Sequence, residues 1–411
     1  HPEIRTLEDV FATRLLMHGD RVVGALVLDQ RTSSVFAIRA RSVVLAAGAY
    51  HAMYAFNDSE PGATGDGVAM AMNVGATLVD LEMILYYPTC LTWPDDMAGT
   101  LVQYEGLLGP QALGARMLNG QGQEFLPMSQ RAYRLPVRDV AMRAMFQEID
   151  EGRGTPHGGV YIDLTGVART PEQIHALLQK EDFLPYDALR DLGIDVTRQP
   201  IEVRPGVHFC MGGVRIDERT ETSVPGLYAA GEVTGNMHGA NRMSGNALAE
   251  TQVFGARAGK YAAEYAASAT HPELDAAAVR AEIAGMKSYL ESKSDPIRPI
   301  RLKRALQALM DREVGHRRSA EGMAAALAEV RRMRAEELPR VQAVATPKYN
   351  YEWQEALELE NMLDIAEAVV LSADMRKESR GHHFRTDFPE DREEWMKHTT
   401  VRRAADGKLK L

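Results

Sequence analysis

The stretch "HGANRMSGNALAETQVFG", His238 to Gly255, gathers His238, Asn241, Arg242, Ser244 and Asn246 between Gly239 and Gly245 before turning into an Ala-rich apolar helix. A surface loop tolerates these polar residues but does not need two glycines bracketing an arginine. Glycine is used where backbone must pass close to another group, so this segment is expected to line a ligand. Two other segments, "VVLAAGA" and "LYAAGEV", end an apolar strand in small residues and a glycine. That pattern opens the carboxyl edge of a sheet, where doubly wound folds bind nucleotides. Gly48 lies at the first such edge and Glu232 at the second, where its carboxylate can accept hydrogen bonds from sugar or ribityl hydroxyls. The alternative is that each is a core strand with a tight turn.

The elements that must position these residues come in three textures. From Glu8 to Gly48, "VFATRLLM", "RVVGALVLD", "VFAIRA" and "SVVLAAGA", broken by "HGD" and "RTSS", predict a meander feeding a buried strand. "GDGVAMAMNVGATLVDLE" reads as a helix. From Thr89 to Val207 the chain is irregular and rich in Gly, Pro and Arg, with one helix at "PVRDVAMRAMFQEIDEG" and one strand at "GGVYIDLT". A buried strand returns at "VPGLYAAGEV", followed by a helix from about Asn246 to Ser268. Beyond Pro272 four helical patterns follow one another, with no internal repeat and no low-complexity linker.

The chain has 411 residues, 45% of them hydrophobic, enough for a large core divided into two or three domains. Its formal charge of −10, from 47 basic and 57 acidic residues, disfavours nucleic acid as a partner. Cys90 and Cys210 are its two cysteines. They sit far apart and outside any CxxC, which argues against a disulfide framework and against a metal or iron–sulfur site built from this chain. No apolar run reaches the roughly 18 residues that span a bilayer, and a reducing, cytoplasmic location is expected.

"TGDGVAMAMNVGATLVDLE", "HFCMGGVRID", "VPGLYAAGEVTGNMHGANRMSGNALAE" and "ESRGHHFRTDFPEDREEWMKHT" resemble, in order and spacing, the flavoprotein subunits of succinate dehydrogenase and fumarate reductase, with L-aspartate oxidase as a relative. The resemblance covers nearly the whole chain. It implies an α/β fold: an FAD-binding doubly wound (Rossmann-like) domain, interrupted by an α+β capping domain and followed by a helical C-terminal domain. The boundaries expected are 1–88 and 208–270 for the two parts of the FAD-binding domain, 89–207 for the capping domain and 271–411 for the helical domain. The family also begins with a strand, a GxGxxG turn and a helix that hold the FAD diphosphate. None precedes His1 in this sequence, so a missing N-terminal segment or a second chain is expected to complete the FAD site.

By the same resemblance Arg242 clamps a substrate carboxylate, for which a guanidinium fork is well matched, and His208 binds the same end. Backbone N–H groups at Ala247 and Leu248, in the first turn of a helix, face the edge of the flavin that gains negative charge on reduction. Asp66 and Glu232 contact the cofactor. Arg138 delivers a proton to one substrate carbon while flavin N5 delivers hydride to its neighbour. The alternatives are a core ion pair for Arg242, an interior histidine for His208, and an ion pair with Asp139 or another acid for Arg138.

The departures cluster. Tyr87 replaces the histidine of the family's "HPT", and Tyr104 replaces the threonine before Glu105, which is kept. Leu108 stands where a proton-relay arginine is expected. The site for one carboxylate is thus rebuilt with phenols and an aliphatic side chain, suiting a bulkier or less charged substituent. The expectation is an FAD-dependent oxidoreductase interconverting a saturated and an α,β-unsaturated carboxylate, either succinate/fumarate or an analogue with one altered end. The alternatives are an FAD-carrying electron-transfer or structural subunit without turnover, or an enzyme like L-aspartate oxidase. The resemblance further implies an iron–sulfur partner subunit, and contact with the inner face of the cell membrane only through partners.

Overall fold

The computed structural model describes residues 3–108, 112–126, 138–270, 273–404 and 406–411. Along the chain the strands and helices run β1 (Val10–His18), β2 (Arg21–Asp29), β3 (Ser34–Arg39), β4 (Val43–Leu45), α1 (Asp66–Asn73), β5 (Leu78–Val79), β6 (Ile84–Leu91), α2 (Tyr104–Leu107), β7 (Arg116–Leu118), α3 (Arg138–Glu148), β8 (Val160–Asp163), α4 (Pro171–Lys180) and α5 (Tyr186–Asp191). They continue with β9 (Ile201–Cys210), β10 (Gly213–Val214), β11 (Leu227–Ala229), α6 (Asn246–Ser268), α7 (Ala276–Lys287), α8 (Pro299–Val314), α9 (Ala320–Arg332), α10 (Tyr351–Met375), β12 (Thr400–Arg403) and β13 (Leu409–Lys410). The chain divides into two compact units: His1–Ala55, Glu60–Ile84 and Phe209–Leu411 form the first, and Phe56–Ser59 with Leu85–His208 the second.

In the first unit, β1, β2 and β3 form the expected antiparallel meander. Its buried face, with Leu16, Val23, Leu26 and Leu28, packs on Trp353 and Leu357 of α10. The Trp353 indole donates to the Met286 carbonyl at 2.8 Å, satisfying its one polar group. Most of α10 is buried around its whole circumference, the pattern of a helix that cores a unit rather than covering it. The helices beyond residue 271 therefore belong to the first unit. There α8, α9 and α10 pack together, α10 packs on α1, and β12 pairs with β5.

β4 and β11 pair in parallel, with Val43, Val44 and Leu45 opposite Leu227, Tyr228 and Ala229. This pair is the part of the doubly wound sheet that the described residues contain. β11 is fully buried, as expected. β4 is not: Val44 is 41% exposed. The helix expected across "GDGVAMAMNVGATLVDLE" stops at Asn73, because Gly75 takes a left-handed φ of +86°, which ends helices. The residues beyond it supply β5, which pairs with β10 and β12.

The second unit is more regular than its composition suggests. β6, β9, β8 and β7 form a four-stranded sheet in that order. β6, "ILYYPTCL", is buried at every position and reads as a continuous apolar run rather than an alternation. α3 forms where expected from Arg138 onward; Pro136 and Val137, which open the expected helix, lie outside the described residues.

Candidate active site

Two groups of side chains stand out, one in each unit. In the second unit, β6 carries Tyr86 and Tyr87 in succession, so their rings leave opposite faces of the strand. Tyr86 packs edge-on against Phe146 of α3. Tyr87 instead meets Tyr104, at 6.0 Å between ring centroids, and His208 of β9, at 5.2 Å. The Tyr87 hydroxyl donates to Glu105 Oε2 at 2.5 Å. Arg138, the first residue of α3, lies with its guanidinium 4.6 Å from the Tyr87 ring centroid and its Nη2 3.5 Å from Glu105 Oε1. Its Nη1 is buried and has no hydrogen-bond partner among the described residues. Asp139 pairs with Arg143 one turn along α3 at 2.8 Å, so the acid facing Arg138 is Glu105.

Burial, and then the neighbouring Glu105 carboxylate, push the phenols of Tyr87 and Tyr104 well above the ordinary tyrosine range. Both stay protonated, and Tyr87 acts as a donor. Leu108 is buried. His208 Nδ1 lies 2.6 Å from Asp58 Oδ2, a pairing that fixes the ring and directs Nε2 away from the acid. Sequence reading missed Asp58, because no motif distinguishes it within "FNDSE".

In the first unit, Arg242 is buried, with its guanidinium 4.3 Å from the Phe209 ring centroid. His238 also meets that ring, edge-on at 5.3 Å, and faces Glu250 across 3.2 Å. Arg242 and His238 of the opening motif thus share the Phe209 ring, and His238 is also held by Glu250. Asp66 begins α1, and both its oxygens are taken internally: Thr64 Oγ1 donates to Oδ2 at 2.5 Å and Asn361 Nδ2 to Oδ1 at 2.6 Å. Burial raises its pKa, against the lowering effect of these hydrogen bonds. The geometry therefore brings Asp66 to α10.

The sheet edge is arranged differently. Gly48 after β4 and Gly231 after β11 have φ of +71° and +77°, and nothing lies within 4 Å of where a Gly48 Cβ would stand. Glu232 Oε1 accepts from the Cys210 backbone N–H at 2.9 Å and lies 2.7 Å from His51 Nε2. Burial lowers the His51 pKa, but Cys210 and Glu232 outweigh it and hold the ring well above the ordinary histidine range. His51 was not expected from the sequence. Gly245 precedes α6 with φ +84°, no side chain caps the helix, and Leu248 in its first turn is 76% exposed. Open glycine turns at a parallel-sheet edge, a free carboxylate oxygen on Glu232 and an uncapped helix N-terminus suit a dinucleotide such as FAD.

Comparison with known proteins agrees with this reading. The family described as "FAD binding domain" matches residues 1–248, and "Fumarate reductase flavoprotein C-term" matches residues 303–411. The chain is 38% identical over 401 residues to a chain of the fumarate reductase (CoM/CoB) of Methanothermobacter marburgensis, covering 98% of this chain and 71% of that one. It is 32% identical to the L-aspartate oxidase of Synechocystis, covering 92% of this chain and 67% of that one. Among solved structures, Mycobacterium smegmatis Sdh1 in complex with UQ1 superposes with a TM-score of 0.86 at 32% identity, covering 96% of this chain and 65% of that one. The E. coli quinol fumarate reductase chain gives 0.83 at 29% identity, covering 98% and 70%. The chain thus spans about two thirds of the length of these relatives. The family models and relatives define an FAD-binding oxidoreductase. The chain belongs to the family of fumarate reductase and succinate dehydrogenase flavoproteins, which includes L-aspartate oxidase. No helix among the described residues is long and apolar enough to cross a membrane.

Proposed function

We propose that this protein reduces, or in reverse forms, a carbon–carbon double bond beside a carboxylate, and that unit 85–208 is its substrate-bearing domain. When bound, FAD supplies the hydride chemistry at N5. The chain's own residues bind the acid and move the proton. The observation that carries the reading is Arg138, which among the described residues has a buried Nη1 without a hydrogen-bond partner and an acid, Glu105, beside its other arm.

Arginine does not normally give up a proton, so transfer from Arg138 requires a carbanion-like acceptor and immediate resupply. Glu105, whose side chain is 43% exposed, connects Arg138 with solvent. That exposure makes the relay arginine replaced by Leu108 dispensable. Tyr87 holds Glu105 by one oxygen and lies under the Arg138 guanidinium, so both groups are oriented before substrate arrives. In the first unit Arg242 offers its fork to a substrate carboxylate, and in the second His208, held by Asp58, offers Nε2 as a polar group for the acid. When FAD is bound, Glu232 would accept from a hydroxyl of its sugar or ribityl chain, and the backbone N–H groups of the first turn of α6, at Ala247 and Leu248, would stabilise negative charge on the flavin.

With Tyr87 committed to Glu105 and Leu108 aliphatic, the far end of the substrate meets phenol rings and a methyl face. The preferred substrate is therefore an unsaturated monocarboxylate, or a diacid with a bulkier far end, ahead of fumarate. An iron–sulfur subunit carries the electrons onward, because Cys90 and Cys210 are both buried and two thiols do not hold a cluster that usually needs four. Any membrane contact runs through such partners.

The test is to photoreduce the FAD-loaded protein anaerobically and mix it with fumarate, an unsaturated monocarboxylate and iminosuccinate. Flavin reoxidation by an unsaturated acid, fastest with the monocarboxylate, is the expected result. Reoxidation by iminosuccinate alone would place the protein with L-aspartate oxidase. Reoxidation by none of them would make it an electron carrier.

A further inference from the structure

His51 lies three residues beyond Gly48, at the carboxyl edge of β4, and is 4% exposed. Its Nε2 meets Glu232 Oε1, the same oxygen that accepts the Cys210 backbone N–H. Two N–H groups fill the two lone pairs of Oε1, while Oε2 takes no hydrogen bond from any described residue. The Glu232 side chain is 24% exposed, against 5% for His51. The acid thus has one arm tied inside the protein and the other open. His51 Nδ1 is buried with no hydrogen-bond partner among the described residues, which costs stability rather than adding to it. The ring is therefore poorly explained as a packing residue.

We propose that His51 is a positioning residue for the cofactor: by holding Glu232 Oε1 it turns Oε2 toward a hydroxyl of the bound FAD. This rests on the reading of Glu232 as a cofactor residue. His51, Cys210 and Glu232 offer ligand atoms within 4.8 Å of one another, the spacing of a metal site. Oε1 is already saturated by N–H donors, so a cation would have to displace both.

The test is a double-substitution cycle read by FAD affinity, from flavin fluorescence on reconstitution of the purified protein, with the flavin midpoint potential as a second readout. Glu232→Gln should weaken FAD binding by roughly one to two orders of magnitude, the range for losing a hydrogen bond to a charged group. His51→Leu should weaken it about tenfold. His51→Gln, which keeps a donor near Oε1, should recover most of that loss. Because His51 acts through Glu232, His51→Leu should cost little further on the Glu232→Gln background. Circular dichroism separates loss of fold from loss of affinity, and the His51→Gln variant carries the test if the leucine variant does not fold. Wild-type affinity in the His51 variants alongside loss in Glu232→Gln would overturn the role of His51 and leave Glu232 as a cofactor residue. Wild-type affinity in Glu232→Gln would overturn the reading of Glu232 itself. Fully additive losses, or one equivalent of zinc bound to the purified protein and lost in His51→Leu, would also overturn the proposal.

Discussion

Tyr87 illustrates how one substitution changes the work of its neighbours. A histidine at this position would offer a cation or donor to a carboxylate, whereas the phenol donates to Glu105 and its ring lies 4.6 Å from the Arg138 guanidinium. Two separable effects follow. The hydrogen bond to an ionised group is worth about 1.5–3 kcal/mol, and the ring–guanidinium contact about 0.5–2 kcal/mol. Tyr87→Phe keeps the second and removes the first. We expect roughly a tenfold drop in the reduction step measured by rapid mixing, with substrate affinity and FAD content unchanged, because Glu105 is freed to rotate away from Arg138. Tyr87→Leu removes both contacts and should be slower again. An equal effect of the two variants would assign the role to the hydroxyl alone. Of these residues, Arg138, Glu105, Tyr87 and Tyr104 could be found from the sequence because they sit in motifs. Asp58 and His51 could not, since each gains its partner only when distant segments fold together.

At the scale of elements, α10 ties the first unit together through a polar contact as well as its apolar surface. Asn361 reaches from α10 to Asp66 at the start of α1, and both are buried. Asn361→Leu leaves a buried carboxyl one hydrogen bond short, a loss of about 1–3 kcal/mol. Burial raises the Asp66 pKa while Asn361 and Thr64 oppose the rise. Removing Asn361 therefore penalises the ionised form most, and the destabilisation should be larger at pH 8 than at pH 4 in denaturant titrations. A pH-independent loss would mean that Asp66 stays protonated throughout. The meander, α6 and the C-terminal helices were legible because their apolar periods are unbroken. β6 and β9 were not: β6 is buried at every position and so shows no alternation, and the Pro205-Gly206 pair interrupts the pattern of β9. α1 was read too long because small apolar residues continue past Gly75, where the backbone turns left-handed.

For the whole molecule, stability should depend on a carboxyl that titrates near neutrality. Burial, then the neighbouring Asp66, raises Glu358 to about 7 from 4.5, opposed by Gln354 and Lys303, with Glu355 adding to the rise. A folded-state pKa above the unfolded value contributes stability that is full below about 4.5 and lost as pH rises through about 7. The loss is at most about 3.5 kcal/mol. Glu358→Gln should flatten the pH dependence of unfolding between these values, and an unchanged profile would show that Glu358 is not its source. The overall architecture was legible because four long motifs fix the order of the elements. The substrate was not, because the motifs fix the order of the elements and not the shape of the space between side chains that a substrate would fill.

The central claim is that Arg138 supplies the proton for reduction beside a carboxylate. Anaerobic single-turnover reoxidation of the photoreduced, FAD-loaded protein by its best unsaturated acid, compared between the native chain and Arg138→Gln, tests it most directly. Flavin content and midpoint potential are measured in both. The expected result is a fall of roughly two to four orders of magnitude, the range for losing a positioned acid, with flavin content and potential unchanged. A rate within tenfold of the native protein would contradict it and leave Arg138 as a structural partner of Glu105.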